Sequence, residues 1–332
     1  MTQEVLDAVG TDDRYRDPTI LRFSASVASR YHKCHGSANL PVAIPGFEFP
    51  APNDSGWKGV GTQLHEIFAV ALSDWKKLLV IAAFLKELVT RRDRVKLLAD
   101  KKAFIIWWFM IAKTAPPLDY DVVARGLVYK VPTVDVDGNV NGEREKAVEP
   151  RYVVAMAEAM EYVYDIIKTM DPDSLQILTE VKKEAWWLEG KYKTTVDLIV
   201  MDKNEFHCLD LKMGDIPVEA YKNTQLMYYA VTFGGVTYES ATLHIMQRNN
   251  MNVWVVKQDE LNTFMHDIQD SERAILAGDV SLKAGSHCTF CPANPRSRSD
   301  RGSKVCPAMQ ELLYGSDDKA KAEEDALSEG DW

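Results

Sequence analysis

Apolar positions along this chain change period several times, and each change marks a predicted element. Leu64, Ile67, Phe68 and Ala71 recur at i, i+3, i+4 and i+7, the buried face of one helix. The helical pattern opens near Gly61-Thr62, with Thr62 as the expected N-cap. It runs to about Lys113, where Ala115-Pro116-Pro117 ends it. Upstream, residues 1–17 read as a mobile tail, Ser24 to Arg30 as a short helix capped by Ser24 or Ser26, and Pro41 to Gly59 as a Pro/Gly-rich loop. Downstream, Val134 to Val140 reads as a hairpin turning at Asp137-Gly138. Arg151 to Met170 is an amphipathic helix closed by Asp171-Pro172.

The period then falls to two. Strands are expected over 176–187, 194–201 and 205–213, with turns at Gly190 and Asp202-Lys203-Asn204. A helix over 218–232 follows Pro217. Strands over 241–248 and 253–257 lead to a helix over 259–277. This order predicts an α/β fold, a mixed central sheet flanked by helices, with a helical insertion before it.

Composition narrows the class. Apolar residues make up 46% of the 332 positions, enough for a real core. The two longest apolar runs, Leu78 to Leu85 and Phe104 to Ala112, are about half the ~20 residues of a membrane span. The acidic N-terminus lacks the apolar core of a signal peptide. The expectation is a cytoplasmic protein with no membrane partner. There its five cysteines bind metal more readily than they form disulfides. Net charge is -10, which on its face opposes nucleic acid. Half of it sits in the last 18 residues, seven acids against two lysines, read as a disordered tail. Basic residues gather instead at Lys86 to Lys102 and at Arg296, Arg298, Arg301 and Lys304, two patches able to track phosphates. Trp107, Trp108, Trp186 and Trp187 are either stacking residues or core.

The chemistry concentrates in the strand region. In Asp210-Leu211-Lys212, side chains two apart share a face, so Asp210 and Lys212 project together while Leu209 and Leu211 face a core. Asp197 sits alike among Val196, Leu198 and Val200. If the two strands pair as a hairpin, Asp197 and Asp210 converge. Two close carboxylates repel unless a cation lies between them. Such an oxygen-rich site suits Mg²⁺ or Mn²⁺. Gln225 and Tyr229 fall on one face of the following helix, which Tyr221 extends.

In this order His65-Glu66, Glu180, Thr195-Val196-Asp197, Asp210-Leu211-Lys212 and Gln225-x-x-x-Tyr229 resemble the RecB-like nucleases of the PD-(D/E)XK superfamily. The spacing fits as well, 13 positions from Asp197 to Asp210 and 13 from Lys212 to Gln225. The segment Pro217 to Ala230 and the opening Ser24-Ala25-Ser26…Cys34-His35-Gly36-Ser37 are similar to a phage-encoded branch. The resemblance implies a PD-(D/E)XK core. His65, Asp197, Asp210 and the Leu211 carbonyl would be metal ligands, and Lys212 the catalytic lysine. Glu180 would be an acid beside the metal, and Gln225 and Tyr229 would position substrate or the lysine. Glu66 is either a ligand or an acid favouring its helix dipole. Thr194-Thr195 stands where the family usually has glycine in the pair before Val196.

Cys288-Thr289-Phe290-Cys291 is a C-x-x-C, with 14 residues between Cys291 and Cys306, and Cys34 lies far upstream. Four such thiolates can hold zinc or an iron–sulfur cluster. The resemblance favours a 4Fe–4S cluster that staples the two ends of the domain, with structural Zn²⁺ as the alternative. Related enzymes have a shorter gap before the last cysteine. His287, His32 and His35 are possible substitute ligands, and Cys208 reads as a space-filling core residue.

The expected organisation is therefore a tail (1–17), a cluster segment (18–59), a helical region with the His motif (60–173), a nuclease core (174–257), a C-terminal helix with three cysteines (258–314), and an acidic tail (315–332). The function implied is metal-dependent cleavage of DNA phosphodiesters through an activated water. It would be an exonuclease resecting DNA ends in phage recombination, replication or repair. The acidic tail suggests a recombination or single-strand-binding protein partner. The competing reading is a non-catalytic, cluster-stabilised DNA- or protein-binding module.

Overall fold

The computed structural model describes residues 23–49, 56–91, 97–112, 117–134, 140–190, 192–296 and 304–314. The expected tails, the Asp137-Gly138 turn and most of the Arg-rich insert lie outside these residues, as do Arg92, Arg94 and Lys96. In chain order the helices are α1 (Ala28–Lys33), α2 (Leu40–Ala43), α3 (Gly56–Leu72), α4 (Leu78–Thr90), α5 (Lys101–Ala112) and α6 (Tyr120–Leu127). A hairpin β1 (Val128–Val134) and β2 (Val140–Ala147) separates them from α7 (Pro150–Ile167). Strands β3 (Gln176–Glu184), β4 (Lys193–Met201) and β5 (Phe206–Lys212) precede α8 (Thr224–Phe233). Then come β6 (Ser240–Gln247), β7 (Asn250–Lys257), α9 (Gln258–Leu276) and α10 (Pro307–Tyr314).

The chain forms two compact units. One lies within Asp54–Lys183 and Thr195–Leu261 and contains the mixed five-stranded sheet, in order β3-β4-β5-β6-β7. β4 and β5 are antiparallel, β5 and β6 parallel across α8, and β6 and β7 an antiparallel hairpin. Leu198, Val200, Leu209, Leu211 and Met246 enter one continuous core with the apolar faces of α3 to α7. α8 packs on β5 and β6. The side chains of β5 alternate between Leu209 and Leu211 in that core and Asp210 and Lys212 on the other face, as the period of two requires.

Local chemistry explains where expectation and structure part. Thr62 is not an N-cap, because α3 already begins at Gly56. The long helical region is interrupted after Leu72, where Ser73 Oγ donates to the Val70 carbonyl and a 3-10 turn, Trp75–Lys77, leads into α4. Ser24 caps nothing: its hydroxyl lies 3.2 Å from that of Ser26, and a 3-10 turn, Ala25–Val27, precedes α1. α8 starts at Thr224 rather than Val218. Val218 N–H donates to Gln247 Oε1 and Ala220 N–H to Asn252 Oδ1, which draws residues 218–223 out of a helix. Asn223 then caps α8 by accepting from Leu226 N–H at 3.1 Å. At the other end Gly234 takes φ 104°, a left-handed terminus that suits glycine. Tyr221 therefore precedes the helix and packs edge-on to Trp254 instead of extending the Gln225–Tyr229 face.

The second unit lies within Met1–Asn53, Glu184–Thr194 and Asn262–Trp332. Its three stretches are distant in sequence. Gly36 N–H donates to the Ser281 carbonyl, and His35 Nδ1 pairs with Asp279 at 2.7 Å. The predicted strand over 176–187 stops at Glu184 because Trp186 to Gly190 turns away. The buried Glu272 carboxylate accepts from Glu189 N–H and Gly190 N–H there. Among the described residues no helix is long and apolar enough to cross a membrane; α4 and α5 hold the two apolar runs.

Candidate metal centre

The site is assembled at the end of β5 in the sheet-containing unit. Leu198 faces Leu209 in the β4–β5 ladder, and one further step of that register sets Asp197 against Asp210. Asp197 Oδ2 accepts from Leu211 N–H at 2.8 Å, which fixes its carboxylate beside the strand end. From α3, His65 reaches the same place. Its Nε2 is 3.1 Å from the Leu211 carbonyl, and its Nδ1 is 3.1 Å from Glu180 Oε1 and 3.6 Å from Asp197 Oδ1. Ligand atoms of His65, Glu180 and Asp197 all fall within 4.8 Å of one another.

Glu180 reaches the histidine through an unusual backbone. It lies inside β3 with φ 51°, a left-handed conformation that costs a non-glycine residue ~1 kcal/mol or more. Period-two alternation contains no signal for this. Asp210 is 2% exposed and is turned toward Lys212 and α8 rather than into the His65 trio. Lys212 Nζ lies 2.6 Å from Asp210 Oδ2, an ion pair that compensates this buried carboxylate. Gln225 bridges the remaining groups: Oε1 accepts from Lys212 Nζ, and Nε2 donates to Asp210 Oδ1 and, at 2.8 Å, to Tyr229 OH. Glu66 is exposed on α3 and is not in the trio.

The electrostatics follow from crowding. Burial first, and then the charge of Asp210, push the Asp197 carboxyl up to about 7. Burial pulls His65 down, but its bond to Glu180 and the charges of Asp197 and Glu180 outweigh that and raise it to about 9. Burial lifts the Tyr229 hydroxyl further, and it lifts the fully buried Cys208 thiol as well. Cys208 is a core residue, as expected.

In the other unit, Cys34, Cys288, Cys291 and Cys306 line one small cavity together with Arg30 and Lys283. All four thiols are free and buried. Lys283 N–H donates to Cys34 Sγ at 3.4 Å, and burial pushes Cys288 up to about 11. No three of the sulfurs lie within 4.8 Å of one another. The three histidines have other partners: His32 meets Ser271, His35 meets Asp279, and His287 meets the Lys283 carbonyl.

Several basic residues of the expected phosphate patches have partners within the chain. Lys86 pairs with Glu161 and Lys101 with Asp121, while Lys304 donates to the Pro45 carbonyl. Trp107, Trp108 and Trp187 are core, and only Trp186 of the four is exposed. Sequence reading missed the amide-rich run Gln247 to Asn252, which shapes the loop after Lys212. Its one signal was the unusual concentration of Gln and Asn in strand positions.

A five-stranded mixed sheet with a histidine, three carboxylates and a lysine at one strand end defines an α/β protein with a candidate cation site. The chain belongs to the DUF2800 family, described as a protein of unknown function, whose model matches residues 21–313. No curated protein matches it. It is similar to the crystal structure of SSO0001, at 16% identity and a TM-score of 0.24, over 42% of this chain and 71% of that one.

Proposed function

We propose that this chain is a metal-dependent deoxyribonuclease of the RecB-like PD-(D/E)XK type, an exonuclease resecting DNA ends. The observation that carries the reading is the meeting of Asp197, Asp210 and Lys212 at the end of β5 with the His65 imidazole beside them. The donor set fits Mg²⁺ or Mn²⁺: a carboxylate whose ionisation is opposed by burial and by a second carboxylate, and a histidine nitrogen beside a backbone carbonyl. His65 and Asp197 would hold the ion, joined by Asp210 and the Leu211 carbonyl as the resemblance implies once Asp210 turns from Lys212 toward them. When bound, a divalent cation polarises a phosphoryl oxygen and makes a water more acidic.

The chain's own residues do the rest. Lys212 carries the one ammonium against Asp210, placed to orient the attacking water and offset charge on the phosphate. Gln225 holds Lys212 and Asp210 at fixed separation, and Tyr229 anchors Gln225. Glu180 orients His65 through Nδ1. His65 must lose its proton to ligate, so cation binding releases a proton.

The four cysteines are proposed to hold a 4Fe–4S cluster. What supports a shared metal group is that all four cysteines line one small cavity.

The test uses labelled linear DNA with Mg²⁺ or Mn²⁺. Wild type degrades it, and Lys212→Ala and Asp210→Ala lose activity by at least ~100-fold. Equal cleavage by these variants refutes the site. No cleavage by wild type favours the binding-module reading.

A further inference from the structure

A cavity of about 240 Å³ opens beside Lys212 in the sheet-containing unit. It lies where the parallel strands β5 and β6 end, the edge at which open α/β sheets bind ligands. Lys212, Asp215, Tyr152, Gln247, Arg248 and Asn250 line it. The carboxylate, lysine and amide network already described does not use it beyond Lys212.

The cavity has a fixed wall. Gln247 is 4% exposed, and its side-chain amide donates to the Gly214 and Ile216 carbonyls while accepting from Val218 N–H and Asn250 Nδ2. Asn250 and Asn252 both donate to the Val218 carbonyl. The segment following Lys212 is thereby held to the β6–β7 hairpin. That hairpin turns through Arg248-Asn249, with Asn249 at φ 59°.

The cavity also has an anion-seeking rim. Asp215 stands between two guanidiniums, 3.3 Å from Arg248 Nη2 and 3.6 Å from Arg151 Nη1. Both distances exceed the ~2.7–2.9 Å of a tight charge-assisted bond. Arg151 has further partners in Glu149 at 2.8 Å and the Tyr152 hydroxyl. Arg248 meets Asp215 through one nitrogen, which leaves most of its five donors for an incoming anion.

We propose that this cavity receives the sugar–phosphate unit adjoining the scissile phosphate of one unpaired DNA strand, with Arg248 as its phosphate contact and Gln247 as a positioning residue. The inference rests on the nuclease reading, which places the scissile phosphate at Lys212. The next unit of the strand then lies within reach of the cavity. Its volume is below the ~300–1,000 Å³ of ordinary ligand pockets, room for one nucleotide unit but not a base pair.

The experiment measures fluorescence anisotropy of the full-length protein on a labelled oligothymidine and on a blunt duplex, in Ca²⁺ without Mg²⁺ or Mn²⁺. Arg248→Gln is expected to weaken single-strand binding about fivefold or more and to lower the salt slope by about 0.7, the loss of one phosphate contact. Arg248→Lys restores the slope, and duplex affinity is unchanged in both variants. Unchanged single-strand affinity and slope in Arg248→Gln overturn the inference, as do equal losses on the duplex. The two failures are distinguishable. Lys212-dependent cleavage without an Arg248 effect on binding sinks only the cavity. Arg248-dependent binding with cleavage indifferent to Lys212 sinks the nuclease site and the placement beside a scissile phosphate, leaving Arg248 as a strand contact.

Discussion

Asp197→Asn separates the cost of the site from its use. In the metal-free protein two carboxylates sit together under burial, and Asp197 is pushed from 3.8 to about 7. At ~1.4 kcal/mol per unit the ceiling on that penalty is about 4 kcal/mol at pH 8. That ceiling already includes the attraction to protonated His65, and relaxation of the buried site lowers it further, so the expected net gain is about 1–2 kcal/mol, a few degrees in Tm. A carboxyl raised in the folded state stabilises fully below its unfolded value near 4 and loses that contribution as pH rises through 7. His65, raised to about 9, likewise loses its contribution as pH rises through 9. Wild type in EDTA should therefore lose more stability between pH 5 and pH 8 than Asp197→Asn. Adding Mn²⁺ at ~100 times its Kd stabilises wild type by ~2.7 kcal/mol, and the variant hardly at all. The order of Tm values inverts: variant above wild type in EDTA, below it in Mn²⁺. Thermal denaturation by circular dichroism at the two pH values reads this directly. A variant less stable than wild type in EDTA at pH 8, or one keeping the full Mn²⁺ shift, would falsify the paired-carboxylate account.

Gln225→Ala removes the bridge among Lys212, Asp210 and Tyr229. Single-turnover DNA cleavage should fall ~10- to 100-fold with KM within about twofold; a change confined to KM would assign Gln225 to substrate binding instead. Cys34→Ser should leave anaerobically purified protein depleted of iron, with the broad absorbance near ~400 nm lost. Colourless wild-type protein holding stoichiometric zinc would overturn the cluster.

Much of the sheet was legible because its faces are chemically distinct. Leu198, Val200, Leu209 and Leu211 alternate with Asp197, Asp210 and Lys212, and the hairpin register follows from burying the first set. The partners of Lys212 were legible too, since i and i+4 on α8 present Gln225 and Tyr229 together. What escaped the sequence depended on contacts between distant segments. The left-handed Glu180 accompanies a bond to His65, 115 positions away. The late start of α8 is set by Gln247 and Asn252 on a hairpin that follows it. The break after Leu72 was hidden because the apolar runs on its two sides, ending at Leu72 and opening at Leu78, read as one helical region.

The three-stretch construction of the cysteine-bearing unit has a consequence for synthesis. Cys34 leaves the ribosome about 250 residues before Cys288, a wait of ~12–50 s at ~5–20 residues per second. Through that interval residues 23–49 lack the partners that bury Phe47, Leu40 and Cys34. The sheet-containing unit, whose last strand ends at Lys257, can close first. Oxidation of the waiting thiol, or truncation before Cys306, therefore strikes both stretches at once: residues 23–49 depend on residues made some 250 positions later to be covered.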